Sequence, residues 1–157
     1  MFQKYRGLKP TCIIPENTKK SSVIFCKQMT KVLLVEDDSN IATIYKIKFE
    51  HAGIEYCHAV NGLEAFHSLK TFMPDMILLD LKMPVMDGET FLHKMRKISE
   101  YADIPVIVLT NLNKTEAPKT LWHLGISAYV VKAHTTPSEI VLEINQHLSK
   151  GHSIDNL

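Results

Sequence analysis

Four short apolar runs constrain the fold of this chain more than any other feature of its sequence. They are Val32–Val35, Met76–Leu79, Val106–Leu109 and Tyr129–Val131. None of them alternates between apolar and polar residues, which is typical of strands covered on both faces in a central parallel sheet. A more mixed segment, Ile54–Ala59, is predicted to form a further strand.

Amphipathic helices are predicted between and after these strands. The apolar residues that recur at helical spacing are Ile41, Ile44, Tyr45 and Phe49; Leu63, Phe66, Leu69 and Phe72; Phe91, Leu92, Met95 and Ile98; Ala117, Leu121 and Leu124; and Ile140, Val141, Ile144 and Leu148. Gly53 is a stop signal for the first helix, and Pro118 indicates that the fourth helix starts late or bends. A capping box, Thr136-Pro137-Ser138-Glu139, begins the last helix. The alternation predicts an α/β fold of the (βα)5 type, with helices on both faces of the sheet.

The composition is that of one soluble globular domain. Of the 157 residues, 45% are hydrophobic and 22% are charged, which suffices for a core without disulfides. We predict a domain over residues 30–150, a flexible extension over 1–29 and a short tail over 151–157. Residues 1–29 contain six basic residues and one acidic residue, whereas the remainder contains twelve and sixteen. Because the basic residues are dispersed and no aromatic platform accompanies them, neither a nucleic acid nor a membrane partner is predicted.

The sequence predicts a cytoplasmic location. No apolar run has the length needed to cross a bilayer, and the first twenty residues make a poor signal peptide. The three cysteines are odd in number and lack CxxC spacing, which suits a reducing compartment and suggests neither a zinc site nor a redox motif.

Carboxylates follow two of the predicted strands. Glu36-Asp37-Asp38 come directly after the first strand, and Asp80 comes directly after the third. Ligands bind beyond the carboxyl ends of the strands in an open parallel sheet, so these side chains converge if the two strands are neighbours. Like charges at short range raise each other's pKa, and a hard divalent cation such as Mg²⁺ relieves that repulsion. The alternative for the triplet is an acidic helix start, favoured by the helix dipole.

Two further polar residues end predicted strands at the same edge. Thr110 ends the fourth strand and Lys132 ends the fifth. Taken singly, a threonine in that place is usually a packing residue, and a lysine is usually solvated. Together, a hydroxyl and an ammonium that face carboxylates and a cation suit a phosphoryl group. An aspartate such as Asp80 is a competent nucleophile for forming an acyl phosphate.

Four segments, KVLLVEDDSN, MILLDLKMPVMDG, PVIVLT and SAYVVKA, occur in this order within residues 31–149. Together they resemble the receiver domain of bacterial response regulators of two-component systems, of the chemotaxis-regulator kind. The resemblance implies a flavodoxin-like, doubly wound three-layer sandwich with strand order 2-1-3-4-5. It also implies phosphorylation on Asp80, next to Mg²⁺ held by Glu36, Asp37, Asp80 and the backbone carbonyl of Lys82.

The resemblance also implies a switch. Thr110 would bond to a phosphoryl oxygen, Lys132 would pair with the phosphoryl group, and Tyr129 would turn inward as Thr110 moves. The predicted function is that of a single-domain response regulator. It takes a phosphoryl group from a histidine kinase or phosphotransfer protein and signals to a downstream protein through the fourth helix, fifth strand and fifth helix. We expect a monomer or a phosphorylation-linked dimer, with no metabolic turnover beyond its own phosphorylation and dephosphorylation.

Three positions depart from the family pattern. Ala133 stands where a proline joined by a cis bond is common, Asn111 stands where a smaller residue is usual, and Pro118 lies within the fourth helix. A cis bond before Ala133 would cost about 3 kcal/mol, so we predict a trans bond or a visibly strained cis bond, and a trans bond puts the Lys132 ion pair in question. These departures support an alternative, a degenerate receiver that binds proteins without phosphorylation. A third class, phosphohydrolases of the haloacid dehalogenase type, is disfavoured by the place of Asp80 and the lack of a cap domain.

Overall fold

Five parallel strands form one sheet in the order β2-β1-β3-β4-β5 in the computed structural model, which describes residues 29–151. The strands are β1 (Lys31–Val35), β2 (Glu55–Ala59), β3 (Met76–Leu79), β4 (Val106–Thr110) and β5 (Ala128–Val131). Every residue of β3 and β4 is buried, whereas most of the edge strand β2 is half-buried. The predicted fold and strand order are confirmed, and the mixed sequence of β2 accompanies its half-buried place at one edge of the sheet.

Within residues 29–151, four α-helices connect and follow the strands. They are α1 (Ser39–Ala52), α2 (Gly62–Leu69), α3 (Gly88–Met95) and α4 (Pro137–Gly151). The first three are capped at their N-termini by Asp38, Asn61 and Asp87, whose side chains accept hydrogen bonds from free backbone N–H groups of the first turn. Gly53 ends α1 with a φ of 68°, a conformation that glycine adopts without strain.

The capping box at the start of α4 is confirmed. The Thr136 N–H donates to the Glu139 carboxylate at 2.7 Å, and the Glu139 N–H donates to the Thr136 hydroxyl oxygen at 3.3 Å. These two bonds satisfy two donors that a helix start leaves free.

The segment predicted as the fourth helix is a 3₁₀ helix of six residues, Lys119–Leu124. It starts after Pro118, as predicted, but Ala117 lies outside it. Proline disfavours a helical conformation in the residue before it, so Ala117 stays outside the helix and only six residues remain between Pro118 and Gly125. Gly125, with a φ of 63°, ends the segment.

Two apolar cores lie on opposite faces of the sheet. The face of Leu33, Ile77 and Val108 packs against α2, α3 and the 3₁₀ helix. The opposite face packs against α1 and α4 and includes Phe49 and Ile144. This three-layer arrangement leaves the carboxyl edge of the sheet open between the two helical layers.

The predicted extension and tail lie outside the described residues except at Met29 and Gly151. Within residues 29–151, no helix combines the length and the apolar character that spanning a membrane requires.

Candidate functional site

The two central strands bring Glu36 and Asp80 to the same level of the sheet. Val35 pairs with Leu79 in register, so the next residue of each strand leaves the sheet at the same edge. The Asp80 N–H still donates to the Val35 carbonyl at 2.9 Å, which holds its backbone to β1. The convergence predicted for neighbouring strands is therefore present.

Lys132, the residue after β5, joins these two carboxylates. Its Nζ lies 2.5 Å from Glu36 Oε2 and 2.6 Å from Asp80 Oδ2, and none of the three side chains is more than 8% exposed. Burial has the largest single effect on the pKa of Lys132 and acts to lower it, because it disfavours the charged ammonium. The hydrogen bonds and charges of Asp80 and Glu36 nevertheless raise the pKa of Lys132 above its ordinary value. The lysine therefore stays charged at neutral pH.

The ammonium of Lys132 does not fully stabilise the negative charge of the Glu36 carboxylate. Burial raises the pKa of Glu36, and the charge of Asp80 raises it further, although Lys132 and the Asp38 N–H act in the opposite direction. The site therefore contains more buried negative charge than its own lysine can stabilise.

The Asp80 carboxylate is held on both of its oxygens. Oδ1 accepts hydrogen bonds from the backbone N–H groups of Leu81, at 2.6 Å, and Lys82, at 3.3 Å, while Oδ2 pairs with Lys132. Only 7% of the residue is exposed. Its orientation is thus set by the backbone that follows β3, and its small exposed part faces the cleft.

Gly88 allows α3 to start directly against the end of β3. A Cβ atom at this position would lie 2.0 Å from the Asp80 carbonyl oxygen, a separation that no side chain can adopt. The Gly88 N–H donates to the Leu81 carbonyl at 3.0 Å, which folds the loop after β3 back over Asp80. A larger residue here would displace the backbone that orients Asp80.

The carboxylates fit a divalent cation. One oxygen from each of Glu36, Asp37 and Asp80 lies within 4.8 Å of the others. Three carboxylates face the single ammonium of Lys132, so two negative charges remain, which a divalent ion neutralises. Hard oxygen ligands in this number suit Mg²⁺. The backbone N–H of Lys82 is directed at Asp80; its carbonyl as a metal ligand stays a prediction.

A cleft of about 470 Å³ opens over these groups. Its lining contains every predicted site residue except Tyr129, namely Glu36, Asp37, Asp80, Lys82, Thr110 and Lys132. The other lining residues are Asp38, Ile41, Asn111, Leu112 and Glu116. Thr110 is buried at the end of β4, and the exposed Asn111 lies at the rim. The cleft is large enough to admit a phosphoryl group beside the carboxylates.

Tyr129 lies behind the cleft rather than in it. The residue is buried, its hydroxyl donates to the Leu112 carbonyl at 2.9 Å, and its ring packs against Trp122 with centroids 5.6 Å apart. Burial raises the pKa of Tyr129, and the charges of Glu116 and Asp80 add to that effect. Its ring therefore connects the segment after Thr110 with the half-exposed indole of Trp122.

The Lys132–Ala133 peptide bond is trans, since no cis bond occurs in residues 29–151. A short 3₁₀ turn, Lys132–His134, follows β5. The ion pairs of Lys132 are nevertheless in place, so the missing proline does not remove this lysine from the cleft.

Residues 32–145 match the family model of the response regulator receiver domain. The chain belongs to this family. Receiver domains are the phosphoryl-accepting modules of two-component signalling. They bind Mg²⁺ in their active site and interact with histidine kinases and downstream targets.

Individual relatives agree with this assignment. A solved receiver domain, that of the Francisella response regulator 1452, has a TM-score of 0.69 and 33% identity, covering 78% of this chain and 98% of that one. The DNA-binding dual master transcriptional regulator RpaA of Synechocystis sp. is 33% identical over 104 residues, 66% of this chain and 43% of that protein. Protein-glutamate methylesterase/protein-glutamine glutaminase 3 of Rhodospirillum rubrum is 40% identical over 101 residues, 64% of this chain and 26% of that protein.

The last two matches cover less than half of each relative's length. The DNA binding and the esterase activity in their names are properties of those whole proteins. What this chain shares with them is the receiver domain.

Three features of the site had not been predicted. They are the hydrogen bonds from Leu81 and Lys82 to Asp80, the close approach at Gly88, and a bond from the His58 ring to the Glu36 backbone. The Asp87-Gly88 pair is a turn signal, and it could have indicated the close approach at Gly88. No local pattern indicates the hydrogen bonds to Asp80, because a backbone N–H carries no sequence signal. None indicates the bond from His58 to Glu36 either, because His58 lies on β2 and Glu36 follows β1.

Proposed function

We propose that Asp80 is the phosphoryl acceptor of a single-domain response regulator. The observation that carries this proposal is the position of its carboxylate. Lys132 lies 2.6 Å from one oxygen, and Glu36 and Asp37 supply carboxylates within 4.8 Å. A carboxylate that is oriented, buried and open to a cleft on one side is suited to attack a phosphorus atom.

The transfer balances with a phosphohistidine donor. An oxygen of Asp80 forms a bond to phosphorus while the bond from phosphorus to the donor's imidazole nitrogen breaks, and the imidazole leaves with the electron pair and takes up a proton. Mg²⁺ held by Glu36, Asp37 and Asp80 supplies positive charge to the phosphoryl oxygens when it is bound. Lys132 pairs with the phosphoryl group, and the Thr110 hydroxyl donates to one of its oxygens.

The output follows from the new charge at Asp80. When Thr110 is drawn toward the phosphoryl group, the segment after β4 moves with it, and that segment includes Leu112, the partner of the Tyr129 hydroxyl. The surface formed by the 3₁₀ helix, β5 and α4 changes as Tyr129 is repositioned. We propose a downstream protein as the target, with no nucleic acid partner and no metabolic substrate.

Intact-mass measurement tests the acceptor. The wild-type chain, Asp80→Asn and Asp75→Asn are incubated with acetyl phosphate and Mg²⁺. Asp75 is a matched control because it is an exposed aspartate whose carboxylate accepts the Lys31 N–H at 2.8 Å, away from the cleft. We expect the wild type and Asp75→Asn to gain the mass of one phosphoryl group and Asp80→Asn to gain none. A wild type without the adduct, or an Asp80→Asn that acquires it, would contradict the proposal.

A further inference from the structure

The main chain of Glu36 is held to β2 by two hydrogen bonds of different kinds. Its N–H donates to the Ala59 carbonyl at 2.9 Å, which extends the β1–β2 ladder by one residue. Its carbonyl lies 2.8 Å from Nε2 of His58. Because a carbonyl can only accept, this nitrogen carries the proton and donates.

The imidazole replaces a backbone donor that the fold does not provide. In a regular parallel ladder, the next bond to the Glu36 carbonyl would come from the Asn61 N–H. The strand β2 ends at Ala59, however, and Asn61 is already the capping residue of α2. His58 pairs with Leu34 in register, so its ring is close enough to reach past the end of the strand.

Asp37 is the residue that depends most on this bond. It is exposed, and within residues 29–151 its carboxylate makes no hydrogen bond or ion pair. Its oxygen nevertheless lies within 4.8 Å of those of Glu36 and Asp80. Neither packing nor a side-chain partner fixes it, so its position is set by its own backbone. That backbone is held on one side by the cap of α1 at Asp38 and on the other by the Glu36–Asp37 peptide, whose carbonyl His58 binds.

We propose that His58 is a positioning residue for the Glu36–Asp37 pair and increases the affinity of the site for Mg²⁺. This inference rests on the proposed function, because it concerns the metal of the same site. His58 touches neither the acceptor nor the cleft; it acts through the backbone of Glu36. Partners that orient metal ligands in this way typically change metal affinity by about 10–100-fold when removed.

A purely structural role for His58 is the competing explanation, and a neighbouring residue separates the two. Tyr56 lies on the same face of β2, lines the same groove beneath α1 and packs its ring 6.0 Å from that of Phe49. Tyr56→Leu therefore removes packing from this groove without touching Glu36. Glutamine at position 58 places an amide nitrogen where the imidazole Nε2 was, whereas leucine and phenylalanine provide no donor.

The experiment measures Mg²⁺ binding by isothermal titration calorimetry on the full chain. The variants are His58→Gln, His58→Leu, His58→Phe and Tyr56→Leu, and far-UV circular dichroism and urea unfolding report on folding. We expect His58→Leu and His58→Phe to bind Mg²⁺ about tenfold more weakly. His58→Gln and Tyr56→Leu should stay within about threefold of the wild type. At saturating Mg²⁺, the phosphorylation rate of the donor-free variants should return to near the wild-type value.

The outcomes are distinct. If Tyr56→Leu loses as much affinity as His58→Leu, or if His58→Gln loses as much as His58→Phe, the effect is one of packing and the proposal is overturned. Wild-type affinity in both donor-free variants overturns it as well, while the proposed function stands. If His58→Leu does not fold, His58→Phe against His58→Gln gives the same comparison. A wild type that binds no Mg²⁺ and is not phosphorylated overturns the proposed function and this inference together.

Discussion

Replacing Lys132 with methionine tests how the buried carboxylates are stabilised. The substitution keeps an unbranched apolar side chain of similar length and removes the ammonium from both Glu36 and Asp80, whose ion pairs measure 2.5 and 2.6 Å. All three side chains are at most 8% exposed, so water entering from the cleft replaces the lost partner only in part. Breaking a buried ion pair typically costs about 3–5 kcal/mol, a large part of the roughly 5–15 kcal/mol that stabilises a domain.

Mg²⁺ should recover much of that loss. Without the ammonium, a divalent cation is the remaining source of positive charge for the three carboxylates, so it should bind the variant more tightly than the wild type. A ligand at about 100 times its Kd adds about 2.7 kcal/mol to the free energy of unfolding. We therefore expect a deficit of about 3–5 kcal/mol without metal and a clearly smaller deficit in excess Mg²⁺.

Urea unfolding in EDTA and in MgCl₂ measures both quantities, followed by circular dichroism and by the fluorescence of Trp122, the single tryptophan of the chain. Lys97→Met is the matched control because Lys97 is an exposed lysine away from the cleft, and it should behave as the wild type in both buffers. The reasoning is refuted if metal-free Lys132→Met unfolds within about 1 kcal/mol of the wild type, where changes at uninvolved surface positions usually fall. It is also refuted if Mg²⁺ stabilises the variant no more than the wild type.

Two other predictions follow from local features of the site and its loop. Folding raises the pKa of Glu36 above 4.5, so its contribution to stability is fully present below that pH and is lost as the pH rises through the folded-state value. We therefore expect the free energy of unfolding of metal-free Glu36→Gln, relative to that of the metal-free wild type, to rise as the pH is raised from 4.5. A difference that falls with increasing pH contradicts this. Val85 has a φ of 67° and is 80% exposed, so Val85→Asn should relieve about 1 kcal/mol of strain without loss of burial. Urea unfolding checks this against Val85→Ile, which keeps a β-branched side chain at the same φ; an equal gain in both variants rejects strain as the cause.

The sequence alone was sufficient for most of the secondary structure. The apolar runs predicted the buried strands, Gly53 predicted the end of α1, and the capping box at Thr136–Glu139 predicted the start of α4. Each of these signals lies within a few consecutive residues: the helix ends form their hydrogen bonds locally, and an uninterrupted apolar run indicates burial whichever segments later cover it. The prediction at Ala117–Leu124 was wrong in the type of helix: apolar spacing predicted an α-helix, whereas Ala117 lies outside and the six residues after Pro118 form a 3₁₀ helix.

The carboxyl-edge cluster was predictable as a set of residues but not as a geometry. Strand ends identified Asp80 and Lys132, yet their 2.6 Å contact joins positions 52 residues apart, and it forms only because the crossovers place β1, β3 and β5 at a common edge. Tertiary structure also decided that Lys132 binds Glu36 as well as Asp80 through a trans peptide, and that His58 completes a ladder that β2 does not continue. The physical reason is that local patterns specify which residues end a strand, whereas the packing of distant segments fixes the distances and burial on which the charges of the site depend.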